Sequence, residues 1–105
     1  MAGILLVSFP MATATRLSSF LRNFGHSVAI EPAQFPRTKV LCNFDLVILD
    51  VSNNQVDLWQ RLATVQRYRI EHGPRPMVLC TSLTYRGPRF ELDIEQKGAR
   101  LIYAR

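Results

Sequence analysis

The stretch Phe44-Asp45-Leu46-Val47-Ile48-Leu49-Asp50 decides the fold. Its unbroken aliphatic run leaves no polar face, so a strand here is covered on both sides, as strands of parallel sheets are. Asp50 then stands at the strand's carboxyl end. Upstream, Gly3-Ile4-Leu5-Leu6-Val7-Ser8 reads the same way. Between the two, Pro10 precedes a helical pattern through Leu17, Phe20, Leu21 and Phe24, closed by Gly25 as a C′ residue. Ser27-Val28-Ala29-Ile30 is a second strand, stopped by Pro32. The segment from Ala33 to Asn43 is ambiguous; Pro36 suits the start of a short helix through Val40 and Leu41.

Downstream, Asn53 or Asn54 suits the cap of a long helix, because an asparagine side chain accepts from the first free backbone N–H groups. Val56, Trp59, Leu62, Ala63 and Ile70 give that helix an apolar stripe, and Gly73-Pro74 ends it. Met77-Val78-Leu79-Cys80-Thr81 is a fourth strand. The basic loop Tyr85-Arg86-Gly87-Pro88-Arg89 leads into a short helix with Pro88 in its first turn, Leu92 and Ile94 as apolar positions and Gly98 as stop. Arg100-Leu101-Ile102-Tyr103-Ala104 is a fifth strand. Strands alternating with helices imply βαβ units with right-handed crossovers and an α/β parallel sheet. Function in such sheets gathers outside the carboxyl ends of the strands, at Ser8, Phe9, Asp50, Ser52, Thr81, Ser82 and Arg105.

At 105 residues, 48% hydrophobic and 20% charged, the chain is expected to be one domain, 1–105, with a core of its own. Apolar runs such as Ile4–Val7 are strand-length, which excludes a membrane span, and no signal-peptide pattern opens the chain, so the expected location is cytoplasmic. Two cysteines, Cys42 and Cys80, make neither a disulfide framework nor a zinc site. The net charge is +5, and eleven of the thirteen basic residues are arginine. They concentrate in the second half, where they suit a solvated face, an acidic protein partner or nucleic acid.

The whole chain resembles a response-regulator receiver domain, the CheY-like version of the flavodoxin-like fold. Leu17-x-x-x-Leu21-x-x-x-Gly25-x-x-Val28 is similar to the family's first helix running into its second strand. Phe44–Asp50 resembles the segment carrying the phosphoacceptor, which places that role on Asp50. Val78-Leu79-Cys80-Thr81-Ser82 resembles the switch-threonine strand, with Thr81 as the threonine. Lys97-Gly98-Ala99 resembles the step before the last strand, and counting forward puts Arg105 where the family has its lysine. The resemblance implies a five-stranded parallel sheet in the order 2-1-3-4-5.

The departures bear on function. Receivers carry an acidic pair after the first strand that, with the phosphoacceptor, holds magnesium. The corresponding Ser8 and Phe9 bring no negative charge, and magnesium needs oxygen ligands, usually with carboxylates among them. Phosphoryl transfer depends on metal or cation charge at the transferred oxygens. Ser8, Phe9, Asp50, Thr81 and Arg105 therefore read as a degenerate phosphoacceptor site, without catalytic, cofactor-binding or metal residues, and Asp50 as a strand-end acid bonded to backbone, Ser52 or Thr81. The family also has a fifth helix beside the first, and the chain stops short of it. Either Leu101 and Tyr103 or, on the other face, Ile102 and Ala104 should then lack cover.

The remaining chemistry-bearing residues have structural readings. His26, after a helix-ending glycine, is expected to be an exposed turn residue, His72 sits at a helix end that favours positive charge, Cys80 is a core thiol, and Trp59 belongs to the core stripe. Tyr85, Arg86 and Arg89, with Leu101 and Tyr103, form the candidate interaction surface. An aromatic beside two arginines suits an acidic protein helix or a stacked base with its phosphates. The resulting expectation is a phosphorylation-independent pseudo-receiver, a small regulatory module in signalling or transcriptional control. It binds a protein or a second copy of itself and is not an enzyme. The alternative is a nucleic-acid-binding accessory protein using the arginine-rich second half.

Overall fold

The aliphatic runs form the centre of one parallel sheet. In a computed structural model, which describes residues 2–7, 9–31, 43–52 and 58–103, five strands pair in the order β2-β1-β3-β4-β5. They are β1 (Gly3–Val7), β2 (Ser27–Glu31), β3 (Leu46–Asp50), β4 (Met77–Ser82) and β5 (Ala99–Tyr103). Among the described residues three helices alternate with them: α1 (Met11–Asn23), α2 (Leu58–His72) and α3 (Pro88–Gln96). The strand order is the one the sequence implied. β3, apolar from Leu46 to Leu49, takes the central position with β1 and β4 on either side, where a strand is covered on both faces.

Chain direction sorts the helices. The step from β1 to β2 runs one way across the sheet and the steps from β3 to β5 run the other. With crossovers of one hand, α1 falls on one face while α2 and α3 share the opposite one. The core divides accordingly. Leu5, Val7, Val47 and Leu49 pack with Leu62 and Val65 of α2 and Ile94 of α3. Ile4, Leu6 and Ile48 point the other way, toward Leu17 and Leu21 of α1.

Local signals set the boundaries. Gly25 takes a positive φ of 87°, and its N–H returns to the Arg22 carbonyl at 2.9 Å, closing α1. Pro88 stands in the first turn of α3, where its missing N–H has no partner to lose. At the feet of the strands, the Asp45 carboxylate accepts the Gly3 N–H at 2.9 Å and pairs with Arg75. Gly3 is required there, because a Cβ would stand 2.7 Å from the Asn43 carbonyl oxygen.

Several side chains depart from the expected stripes. Phe20 and Phe24 of α1 are exposed, with ring centroids 5.0 Å apart, while the small Ala14 and Ser18 face the sheet. On α2 the buried row is Leu62, Val65 and Tyr68; Ile70 is exposed. Trp59, read as core, lies at the surface and meets Phe90 edge-on at 5.9 Å. An indole reaches sideways along a sheet-covering helix, so it finds α3 and not the strands beneath. The segment 32–42, the capping candidates Asn53 and Asn54, and Val56 lie outside the described residues.

Candidate functional site

The carboxyl rim of the sheet brings Asp50 and Thr81 side by side, because β3 and β4 pair at that step. Asp50 is buried, and its Oδ1 accepts the Ser52 backbone N–H at 2.9 Å, the local turn that aspartates favour. The Ser52 hydroxyl in turn accepts the Leu83 N–H at 3.0 Å, and the Val51 N–H donates to the Thr81 carbonyl at 2.8 Å. Ser82, fully buried, donates its hydroxyl to the Thr84 carbonyl at 2.8 Å. The loops after β3 and β4 are thus laced together by side-chain and backbone hydrogen bonds. Strand-end hydroxyls here serve the backbone.

A cavity of about 110 Å³ opens above this lacing. Phe9, Pro10 and Thr13 line one side, and Asp50, Ser52 and Thr81 the other. Phe9 is half-buried and packs against the α1-side cluster. Asp50 brings the one carboxylate among the residues that line this cavity, and Phe9 and Pro10 bring no oxygen side chain, whereas magnesium takes an octahedron of oxygen ligands. Among the described residues, no three His, Cys, Asp or Glu side chains gather where a metal could be held. Ser8 and Arg105, the other two members of the expected site, lie outside the described residues.

The basic loop after β4 is anchored. The Arg86 guanidinium donates to the Val51 carbonyl at 2.9 Å and lies over the Phe90 ring. Its backbone N–H reaches the Tyr103 hydroxyl at 3.4 Å, and the rings of Tyr85 and Tyr103 are 5.4 Å apart. Tyr85 and Arg89 are exposed, so they remain available to a partner. Leu101 does not: it is 7% exposed and belongs to the core under α3. Strand alternation turns its neighbour Ile102, at 45% exposure, to the opposite face, the one on which α1 lies. Of the two alternatives left open by the sequence, Ile102 is on the more exposed side among the described residues. Tyr103 is half-buried on the α3 side.

Sequence reasoning missed Phe90 and the role of Trp59 beside it. The signal was present as Arg86 and Phe90 at a spacing of four, but it became visible only with α3 starting at Pro88. The remaining candidates fall into structural places. His26 is half-buried and accepts the Ala2 N–H on Nδ1 at 3.1 Å, whereas the sequence suggested an exposed turn residue. His72 lies 4.5 Å from the Tyr68 ring. Burial pushes the Cys80 thiol up to about 12.

No protein-family model and no curated protein sequence matches the chain. Solved structures do. A pilus assembly-related protein from Burkholderia pseudomallei aligns over 98% of this chain and 78% of its own, with a TM-score of 0.75 and 21% identity. The chemotaxis protein CheY4 of Vibrio cholerae aligns over 99% of this chain and 85% of its own, with a TM-score of 0.74 and 20% identity. The receiver domain of the Arabidopsis thaliana histidine kinase CKI1, solved with Mg²⁺ and BeF₃⁻, aligns over 97% of this chain and 80% of its own, with a TM-score of 0.78 and 12% identity. The chain has the fold of response-regulator receiver domains.

Proposed function

We propose that this chain is a phosphorylation-independent pseudo-receiver, a single-domain regulatory module that acts by binding another protein. The observation that carries the reading is Phe9 against the cavity that holds Asp50. Across the cavity from Asp50 stand an aromatic ring and a proline, which bring no oxygen ligand to the cation that phosphoryl transfer depends on. The hydrogen bond from the Ser52 N–H gives Asp50 a structural role in shaping the turn after β3.

Protein binding is favoured over nucleic-acid binding by the state of the arginines. Arg69 donates to the Gly98 carbonyl, Arg75 pairs with Asp45, and Arg86 is fixed on Val51 and Phe90. Three guanidinium groups of the arginine-rich half are therefore engaged within the fold, and phosphate binding would have to release them. Regulation without catalysis accords with the receiver fold. No helix among the described residues is long and apolar enough to cross a membrane.

The test is incubation with acetyl phosphate and magnesium, followed by intact mass. The expected result is no phosphoryl increment, and an unchanged affinity for whatever partner is isolated from the native host. A stable increment that disappears in Asp50→Asn overturns the reading.

A further inference from the structure

Three of the chain's eight acidic residues, Glu91, Asp93 and Glu95, lie on α3, whose one basic residue is Arg89. α1 and α2 have the opposite balance, so a chain of net charge +5 keeps an acidic helix on the α2–α3 face. Asp93 lines a cavity of about 210 Å³ with Trp59 of α2, Gln96 and Lys97. At roughly 30 Å³ for a water-sized group, that is room for about seven heavy atoms. An arginine side chain has as many. Trp59 meets Phe90 in a T-shaped contact, which occupies one indole face at most. Arg86 lies over the same Phe90 ring, so the fold already stacks a guanidinium on this aromatic pair.

The Asp93 carboxylate is half-buried, and among the described residues it has neither an ion pair nor a hydrogen bond. Arg89 stands one turn before it and Lys97 one turn after, both exposed, and neither pairs with it. These three residues follow one another at four-residue steps, about 6 Å of rise each, and form a stripe reading positive, negative, positive. Glu91 and Glu95 fall on the other side of the helix. Leu92, 53% exposed, adds an apolar position next to the stripe.

We infer that this stripe docks a helical segment of a partner protein whose charges run acidic, arginine, acidic at the same four-residue step. The central arginine enters the cavity, with its guanidinium plane on Trp59 and its fork on the Asp93 carboxylate, while the flanking carboxylates meet Arg89 and Lys97. Lysine is the poorer central residue, because an ammonium cannot stack flat on an indole and grip both carboxylate oxygens. A second copy does not match. In register its own stripe sets like charges against each other, and slid by one turn it leaves Lys97 without a partner, with two chains of net charge +5 repelling. The inference rests on the interaction-module reading and names its partner's chemistry.

Trp59 is the chain's one tryptophan, so its fluorescence reads the site directly. The test uses two alanine-rich peptides of about 16 residues, long enough to hold a helix. One carries Glu-x-x-x-Arg-x-x-x-Glu and the other Arg-x-x-x-Glu-x-x-x-Arg. The first is expected to shift the Trp59 emission saturably, and the second to leave it unchanged. Asp93→Asn should weaken the first peptide about tenfold or more. The triple variant Arg89→Glu, Asp93→Arg, Lys97→Glu reverses the stripe and should prefer the second peptide, with its far-ultraviolet circular dichroism unchanged. Equal responses to both peptides, or no response to the first, overturn the proposal. So does sedimentation showing a dimer that Asp93→Asn dissociates. A partner isolated from the native host that binds without moving the Trp59 emission sinks this surface and leaves the module reading standing, whereas a phosphoryl increment on Asp50 sinks the latter.

Discussion

The Arg86 guanidinium lies 4.5 Å from the centre of the Phe90 ring. The same side chain donates to the Val51 carbonyl at 2.9 Å, so one residue ties the loop after β4 both to α3 and to the loop after β3. Arg86→Ala removes the cation over the ring and leaves a carbonyl without its donor. Stability should fall by about 1–3 kcal/mol. Arg86→Lys should recover only part of this, because an ammonium cannot stack its plane on the ring while donating sideways. Urea denaturation followed by circular dichroism measures both.

Two neighbours on α3 should respond very unequally to the same change. Ile94 is fully buried, and Ile94→Ala should cost about 2–5 kcal/mol through lost burial and the cavity left behind. Leu92 is 53% exposed, and Leu92→Ala should stay within about 0.5 kcal/mol. Thermal melts of the pair test how α3 is seated. Equal losses would mean that the helix is rotated.

Gly3→Ala should destabilise the chain by roughly 1–3 kcal/mol, since the added methyl meets backbone and not a movable side chain. The obstacle is the Asn43 carbonyl oxygen, 2.7 Å from the new carbon. Gly73→Ala is the informative contrast. Open space surrounds that position, but φ is +112°, so its cost comes from backbone conformation alone. Denaturation midpoints at fixed slope compare the two.

Cys80 should be unreactive toward thiol reagents in the native chain at pH 8, measured in a Cys42→Ser background so that one thiol remains. Denaturation should release it fully. The unfolded thiol ionises near 9 and the folded one near 12. Between those values the unfolded chain loses a proton that the folded chain retains. The contribution of Cys80 to stability is therefore intact below pH 9 and declines as pH rises toward 12. Cys80→Ala should flatten that part of the stability–pH curve.

The strands were legible because Leu46–Leu49 and Ile4–Val7 leave no alternative to burial on both sides, and the crossover rule then sorted the helices. Side-chain phase was less so. α2 has apolar residues at 59, 62, 65, 68 and 70, and which of them meet the sheet depends on where α3 lies. Handedness assigns helices to faces, but whether Leu101 or Ile102 turns toward them is set by the pairing of Thr81 with Ile102, which no local pattern encodes. At the rim, Asp50 and Thr81 were found by their strand-end positions, whereas the anchoring of Arg86 needed Val51 and Phe90 brought close in space.

Asp45 was described as a partner of Gly3 and of Arg75. Its backbone also joins in, with its N–H on the Gly3 carbonyl at 2.8 Å and its own carbonyl receiving the Met77 N–H at 3.0 Å. One residue thus levels the starting points of three adjacent strands. β1, β3 and β4 then end in steps, Val7 level with Leu49 and Asp50 level with Thr81, and the rim owes this stepped alignment to a foundation at the opposite edge of the sheet. Changes made in the loops above can alter what the rim presents without disturbing where it stands.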